Sequence, residues 1–315
     1  MKPCSTFASP VYVASVPGIE ETFNISTTLA LSPISLYALG LTLGPILGTS
    51  ASELFGRQSI LPISLGLSLI FTIVGGAANQ FRVIAVARFF AGLSAAPCVT
   101  VTAGCLNDVW DLKKEIVGNF FALLFPVLII WGATLGIPVG AVVVTHRDWR
   151  WTFWVTAILL GICILLTLWM PETFVPQIRR KEMKKNGTAV PSRGTAKEIL
   201  TIAIGRPLHM IFTEPLIWPT ALLSALGQAL VFCFYVMYPL AFSRVYQFSL
   251  YHIGLTFLPV FIGTFPGAAV IIYFNRTKYQ KEVAKAREEG RPVALELQLY
   301  PAILGSILLP ISLFW

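Results

Sequence analysis

Arg88 lies inside a strongly apolar segment of the chain, residues 83–92. An ionisable side chain in such a segment is costly to bury unless it faces the interior of a helix bundle or a water-filled cavity. Its type and position favour a charge that tunes the binding of a proton or of a small molecule. The alternative is a residue close enough to the end of its helix for the guanidinium to reach water.

A short polar stretch, residues 49–61, carries a second candidate group between two apolar segments. Glu53 and Arg57 are four residues apart, and Gly56 between them permits a tight turn. Their opposite charges predict a latch that joins helix ends in one conformation; an ordinary charged loop is the alternative. Asp108 is a further titratable group at the end of a later apolar segment.

Three glycines, Gly132, Gly136 and Gly140, recur every four residues in another apolar segment. On a helix this spacing produces a smooth strip that lets a neighbouring backbone approach closely. The strip is a candidate hinge, and plain helix packing is the alternative.

Polar and aromatic residues share one predicted helix face further along the chain. Gln228, Phe232 and Tyr235 follow the spacing i, i+4, i+7, and Tyr238 lies nearby. An amide with several ring faces suits a cavity for an amphipathic cation. A stripe of rings packed against other helices is the alternative.

The sequence offers no catalytic or metal-binding pattern. His146, His209 and His252 are far apart, and the five cysteines lack ligand spacing. We therefore predict that the protein is not an enzyme and uses no cofactor or metal.

The elements that hold these residues follow from composition. The 315 residues are 56% hydrophobic and 12% charged, with a mean hydropathy of +0.75. A soluble globular chain has about 45–50% apolar and about 25% charged residues. The surplus apolar surface excludes a soluble enzyme, a disordered chain and a nucleic-acid-binding domain. It predicts an all-α protein in a lipid bilayer.

Seven segments are long enough to cross a bilayer, and two are partial. A crossing needs about 20 apolar residues. The complete segments are 29–50, 59–78, 83–106, 117–144, 152–170, 217–240 and 253–274. The partial ones are 4–19, broken by two prolines, and 300–315. Most of the 23 lysines and arginines fall in alternate loops, which predicts that those loops are cytoplasmic.

These motifs together resemble the major facilitator superfamily, and within it the fungal twelve-span drug:proton antiporters. Residues 52–57 resemble the signature between spans 2 and 3, although Gln58 replaces its last basic residue. Arg88 and Gly92 resemble the span 4 motif that the family links to proton transfer. Residues 132–140 resemble the span 5 antiporter motif, with Ile137 at an expected proline. Further resemblance lies in residues 149–154, 171–173 and 300–315.

The resemblance implies a major-facilitator-type helix bundle with about nine of twelve spans, the first and last partial. Residues 1–170 would form a six-span bundle, 171–216 a basic cytoplasmic linker, and 217–315 part of a second bundle. The implied activity is proton-coupled export of amphipathic or cationic small molecules, such as drugs or polyamines, by alternating access. The partners would be lipid, substrate and protons, without nucleic acid, in the plasma membrane rather than the vacuolar membrane.

The resemblance also assigns roles. Arg88 and Gly92 would serve proton coupling, with Asp108 as a further titratable group. Glu53, Gly56 and Arg57 would form the latch. Two other interpretations stay open. One is a truncated, transport-incompetent membrane protein or a fragment that depends on a partner. The other is a seven-span receptor, against which the long linker argues.

Overall fold

The apolar segments form long α-helices joined mostly by short turns. The computed structural model describes residues 2–109, 116–187, 209–291 and 300–314, with Thr201 and Gly205. Its helices are α1 (Lys2–Phe23), α2 (Thr27–Phe55), α3 (Arg57–Ala77), α4 (Phe81–Val109), α5 (Ile116–His146), α6 (Trp151–Leu168), α7 (Val175–Lys185), α8 (Ile217–Arg244), α9 (Leu250–Leu255), α10 (Leu258–Phe274), α11 (Gln280–Glu288) and α12 (Tyr300–Phe314). A π-helical turn, Asn275–Tyr279, joins α10 to α11.

Seven helical stretches are long and apolar enough to cross a membrane. They are Thr27–Ile46, Arg57–Ala77, Phe81–Leu106, Leu124–His146, Trp151–Leu168, Ile217–Arg244 and Leu250–Ala286. A shorter apolar stretch covers Tyr300–Ser312. The prediction of an all-α membrane protein with seven complete spans is confirmed.

The first segment differs from its sequence-based prediction. We expected residues 4–19 to be broken at Pro10 and Pro17, but α1 continues through both as one helix of 22 residues. Proline removes one backbone hydrogen bond and, in a soluble helix, introduces a kink. In a bundle, packing against neighbouring helices compensates for that loss. Residues 7–16 of α1 are buried, which supplies this packing.

The first six helices pack through four main pairs: α2 with α4, α1 with α5, α3 with α4, and α3 with α6. Glycines let the backbones of α2 and α4 come close together. A Cβ on Gly40 would overlap the carbonyl oxygen of Phe89, and a Cβ on Gly92 would overlap that of Tyr37. The small residues of these two helices therefore set their separation.

The later helices meet the first six mainly at α5, against which α9 and α10 both pack. The segment between the two groups is not wholly irregular, because α7 forms within the predicted linker 171–216. Pro176 stands in its first turn, and Lys184 and Lys185 in its last turn complement the helix dipole. The proposed boundaries at residues 170 and 216 stay predictions. Lys113 and Lys114 belong to loop 107–116, which the charge pattern predicts to be cytoplasmic, and they lie outside the described residues.

Candidate functional site

Arg88 points into the interior of the first six helices. The residue is 4% exposed, and its Nη1 donates a hydrogen bond of 2.8 Å to the carbonyl oxygen of Ala8. Its Cζ lies 4.5 Å from the ring centres of Tyr12 and Phe153 and 5.9 Å from that of Tyr37. The side chain therefore does not reach water at the end of α4.

Ring faces rather than a carboxylate surround this guanidinium. Its Nε and Nη2 are buried and have no hydrogen-bond partner among the described residues. Each cation–π contact stabilises a charge by about 0.5–2 kcal/mol, more when the charge is desolvated. A buried cation without a paired anion costs several kcal/mol. Arg88 thus places a poorly compensated positive charge inside the bundle.

Gly92 lies one turn after Arg88 on α4 and faces α2. Its lack of a side chain admits the carbonyl of Tyr37, whose ring stands beside the Arg88 guanidinium. The arginine and the glycine are therefore linked through one residue of α2. This contact gives Gly92 a structural role independent of any coupling function.

The turn at Gly56 is capped by Glu172, which follows the sixth helix in the sequence. Helix α2 ends at Phe55, and Gly56 adopts a φ of 90°. The backbone N–H groups of Arg57 and Gln58 donate to the two carboxylate oxygens of Glu172, at 3.0 and 3.3 Å. A carboxylate here satisfies free N–H groups at the start of α3 and complements the helix dipole.

The Arg57 side chain joins α3 to α4. Its Nη2 donates to Asp108 Oδ1 at 3.3 Å, and its Nε lies 3.0 Å from Asp108 Oδ2 without forming a hydrogen bond. Its Nη1 donates to the carbonyl oxygen of Val101 at 3.2 Å. Gly104 leaves the necessary space, since a Cβ there would overlap the guanidinium.

Burial raises the pKa of the Asp108 carboxyl above its ordinary value, although Arg57 lowers it; the nearby Glu172 carboxylate raises it further. The ion pair is half-buried, with the two side chains 14% and 21% exposed. Such a pair is shielded from solvent more than a surface pair and can break when helix ends separate.

Of the predicted latch residues, Gly56 and Arg57 lie at this turn, and Arg57 pairs with Asp108, which the sequence offered as a separate titratable group. The side chain of Glu53 lies outside the described residues, and Gly56 separates its helix from that of Arg57. The i, i+4 spacing therefore does not place Glu53 and Arg57 on one helix. Sequence reasoning assigned no role to Glu172. Its signals were the family resemblance of residues 171–173 and the position of an acid between the end of a span and a proline-initiated helix.

A cavity of about 600 Å³ lies where α8 and α10 face α1, α2 and α5. Its lining includes all four residues that the sequence grouped together, Gln228, Phe232, Tyr235 and Tyr238. The rings of Phe232 and Tyr235 pack edge to face, with 6.0 Å between their centres. Ser9 from α1 also lines the cavity, and its hydroxyl is buried without a hydrogen-bond partner among the described residues.

Two of the three spaced glycines lie in the contact between α5 and α1. A Cβ on Gly136 would lie 3.0 Å from the carbonyl oxygen of Phe7, and one on Gly140 would lie 2.7 Å from that of Val11. Gly132 lines a separate apolar cavity of about 500 Å³ with Phe7 and Trp131. The strip therefore serves helix packing at two positions and lines an apolar cavity at the third.

The chain belongs to the Major Facilitator Superfamily, whose sequence profile matches residues 4–315. It is 33% identical to Polyamine transporter 4 of Saccharomyces cerevisiae, over 98% of this chain and 51% of that protein. It is 26% identical to a cycloheximide resistance protein of Candida maltosa, over 98% of this chain and 58% of that protein. The chain thus spans little more than half the length of these two curated relatives.

A solved structure supports the fold. The crystal structure of a D-xylose-proton symporter superposes with a TM-score of 0.58 and 16% sequence identity, covering 88% of this chain and 66% of that one. At this identity the likeness concerns the helix arrangement alone. The helical bundle and the family match define a multi-pass membrane protein of this superfamily.

Proposed function

We propose that the protein exports amphipathic small molecules, including cationic drugs and polyamines, in exchange for protons across the plasma membrane. The observation that carries this proposal is the cavity that α8 and α10 form with α1, α2 and α5. Its lining includes Gln228, Phe232, Tyr235 and Tyr238. Clefts of this size, lined by rings with a few polar groups, suit drug-sized ligands. The names of the yeast relatives, polyamine transporter and cycloheximide resistance protein, support the substrate range.

Arg88 is the proposed proton-linked charge. It donates a hydrogen bond to the Ala8 carbonyl on α1, one residue before the cavity residue Ser9. A change in the charge or hydration of the cavity alters the cost of holding the guanidinium beside it. Gly92 contributes by keeping the Tyr37 ring against Arg88.

The proposed latch at the cytoplasmic end consists of Glu53, Gly56 and Arg57, and Asp108 is the residue with which Arg57 pairs. Alternating access needs one end of the bundle to close through contacts that can break again. The Arg57–Asp108 pair and the Glu172 cap are such contacts, because each joins separate helices by a few polar bonds. Gly136 and Gly140 provide the α1–α5 surface along which the bundle would adjust.

The test is gradient-driven uptake by inside-out vesicles that contain the purified chain. With an acidic lumen, we expect accumulation of a fluorescent amphipathic substrate that stops when the gradient is dissipated. Arg88→Ala should abolish this dependence and leave the amount of inserted protein unchanged. The matched control is Arg82→Ala, since Arg82 is exposed in the first turn of the same helix. Uptake that ignores the gradient in the wild-type protein, or that survives in Arg88→Ala, would contradict the proposal.

A further inference from the structure

Helix α7 carries a concentrated positive charge that the proposed function does not use. Over Val175–Lys185 it has five lysines and arginines against a single glutamate. Three of these cations, Arg179, Lys184 and Lys185, are exposed. A cluster of basic residues directly after a membrane span is typical of a segment that binds anionic lipid. The position of α7 in the bundle decides whether such lipid is within its reach.

The start of α7 is held at the ends of two spans. The span before it, α6, ends at Leu168. Glu172 then binds two backbone N–H groups at the beginning of α3, which is another span. The side chain of Gln177 lies against the turn at Gly56, with its Cγ 3.2 Å from the position that a Cβ would take there. These contacts keep the first turn of α7 at the membrane end of the bundle.

An exposed tryptophan marks the level of the lipid headgroups. Trp169 directly follows α6, and 92% of it is exposed. Tryptophan is enriched where a membrane helix meets the headgroups, because its ring is apolar and its N–H is polar. Arg179 lies about 6 Å along the helix axis from the start of α7. An anionic surface at this level attracts its guanidinium, since the Debye length is about 8 Å at physiological ionic strength.

One face of α7 combines apolar and cationic side chains. Val175, Arg179 and Met183 follow one another at intervals of four residues, so they share a face of the helix, and all three are exposed. Gln177, which contacts the bundle, lies on the other side. Apolar side chains beside a cation suit the boundary between headgroups and acyl chains, whereas a soluble anion would leave them in water.

We propose that α7 is a binding site for anionic phospholipid headgroups of the leaflet that the charge pattern predicts to be cytoplasmic. Arg179 binds the headgroup phosphate or carboxylate from the exposed face. The long side chains of Lys184 and Lys185 extend to the same layer from the last turn. Val175 and Met183 contact the upper part of the acyl chains. The inference does not depend on transport, because lipid binding needs neither a substrate nor a gradient.

The experiment measures the lipid that the purified chain retains in detergent, by native mass spectrometry. Dioleoyl phosphatidylserine is compared with dioleoyl phosphatidylcholine, which has the same acyl chains and no net charge. Each cation near an anionic surface strengthens binding by roughly fivefold. We therefore expect phosphatidylserine to bind at least about tenfold more tightly. Glycerophosphoserine and inorganic phosphate, which test a soluble anion, and polyglutamate, which tests an acidic protein, should not displace it at matched charge.

Removal of charge locates the site on α7. The test variant should lose at least about tenfold of the preference for phosphatidylserine; it combines Arg179→Gln, Lys184→Gln and Lys185→Gln. The matched control removes three exposed cations from another segment that is predicted to be cytoplasmic, and it should keep the preference; it combines Arg276→Gln, Lys278→Gln and Lys281→Gln. Gel filtration verifies that both variants fold.

Hydrogen exchange provides a measurement on the wild-type protein that needs no variant. In nanodiscs, the backbone amides of residues 175–185 should exchange several-fold more slowly when phosphatidylserine is added to phosphatidylcholine. Those of residues 280–288 should not change. Equal retention of the two lipids, displacement by any soluble competitor, equal effects of the two variants, or unchanged exchange at α7 would each overturn the proposal.

Discussion

Glu172 caps the helix that begins at Arg57, across 115 residues of sequence. One carboxylate binds the N–H groups of Arg57 and Gln58, and also accepts from the backbone of Thr173 and Phe174. It therefore fixes the end of α6 against the turn between α2 and α3. The Phe174 ring, 5.6 Å from the Arg57 guanidinium, adds to this junction.

Loss of this cap should loosen the predicted cytoplasmic end. Glu172→Ala is expected to cost about 1 kcal/mol, within the roughly 0.5–2 kcal/mol range of helix caps. Cys105, which is 7% exposed on α4, provides a natural probe when the other four cysteines are replaced by alanine. Its alkylation should be several-fold faster in Glu172→Ala. Glu182→Ala, at an exposed position of α7, should leave the rate unchanged; equal rates in both variants would reject the capping role.

The Arg57–Asp108 pair should show measurable coupling. A double-mutant cycle with Arg57→Ala and Asp108→Ala, read by thermal unfolding, is expected to give a coupling energy of roughly 0.5–3 kcal/mol. The Arg150–Asp148 pair is a matched comparison because its side chains are 31% and 52% exposed. Exposed pairs are worth about 0–1 kcal/mol. Coupling at the first pair no larger than at the second would contradict a role for Arg57 in joining helices.

The raised pKa of Asp108 predicts that the stability of the folded protein falls as the pH rises. Burial is the largest cause of its shift, and it raises the pKa of the folded carboxyl above its ordinary value. The folded protein therefore binds this proton more tightly than the unfolded chain does. The stability gained from this tighter proton binding by Asp108 is complete below the ordinary pKa of an aspartate, about 3.9. It is lost as the pH rises through the raised pKa of the folded protein.

The measurement compares thermal unfolding of the wild-type protein and Asp108→Asn across acidic to neutral pH. The wild-type unfolding temperature should fall relative to that of the variant as the pH rises. A difference that stays constant or grows with pH would show that the ion pair with Arg57 outweighs burial. Glu182→Gln, with an exposed carboxyl, serves as the control.

Gly92 should not tolerate a side chain. Gly92→Ala would place a Cβ against the Tyr37 carbonyl, which is backbone and has little room to move. Overpacking of this kind typically costs about 1–3 kcal/mol. Gly66→Ala is the control, because no atom lies within 4 Å of the added Cβ. We expect a lower unfolding temperature for the first variant and an equal or higher one for the second; equal loss in both would remove the packing explanation.

Hydropathy was sufficient to predict the spans, because the length and apolar composition of each segment alone decide whether it can cross a bilayer. It was less informative at α1, which packs against α5 and continues as one helix through Pro10 and Pro17. Periodicity correctly grouped Gln228, Phe232 and Tyr235, since one helix face is a local property. Their role in substrate binding stays a prediction.

The polar contacts of Arg57 with Asp108 and Glu172 show what a prediction from sequence spacing misses. Spacing suggested Glu53, whose side chain lies outside the described residues, as the partner of Arg57. The structure pairs Arg57 with Asp108 on another helix and caps its backbone with Glu172. Gly104 was not recognised either, because its importance depends on the guanidinium that occupies its space. Such relationships are set by helix packing between distant segments, and the sequence near Arg57 contains no trace of them.

The aromatic rings that surround Arg88 also constrain the insertion of the protein into the membrane during synthesis. One of its two nearest rings belongs to Phe153 on α6, which emerges from the ribosome after α4. Until then the fourth span carries a partly uncovered cation. An arginine within a membrane helix opposes insertion, by up to roughly 2.5–3.5 kcal/mol when it lies at the helix centre. Stable integration of α4 therefore depends on a helix that is synthesised later. Substitutions at Phe153 should accordingly reduce the yield of inserted protein.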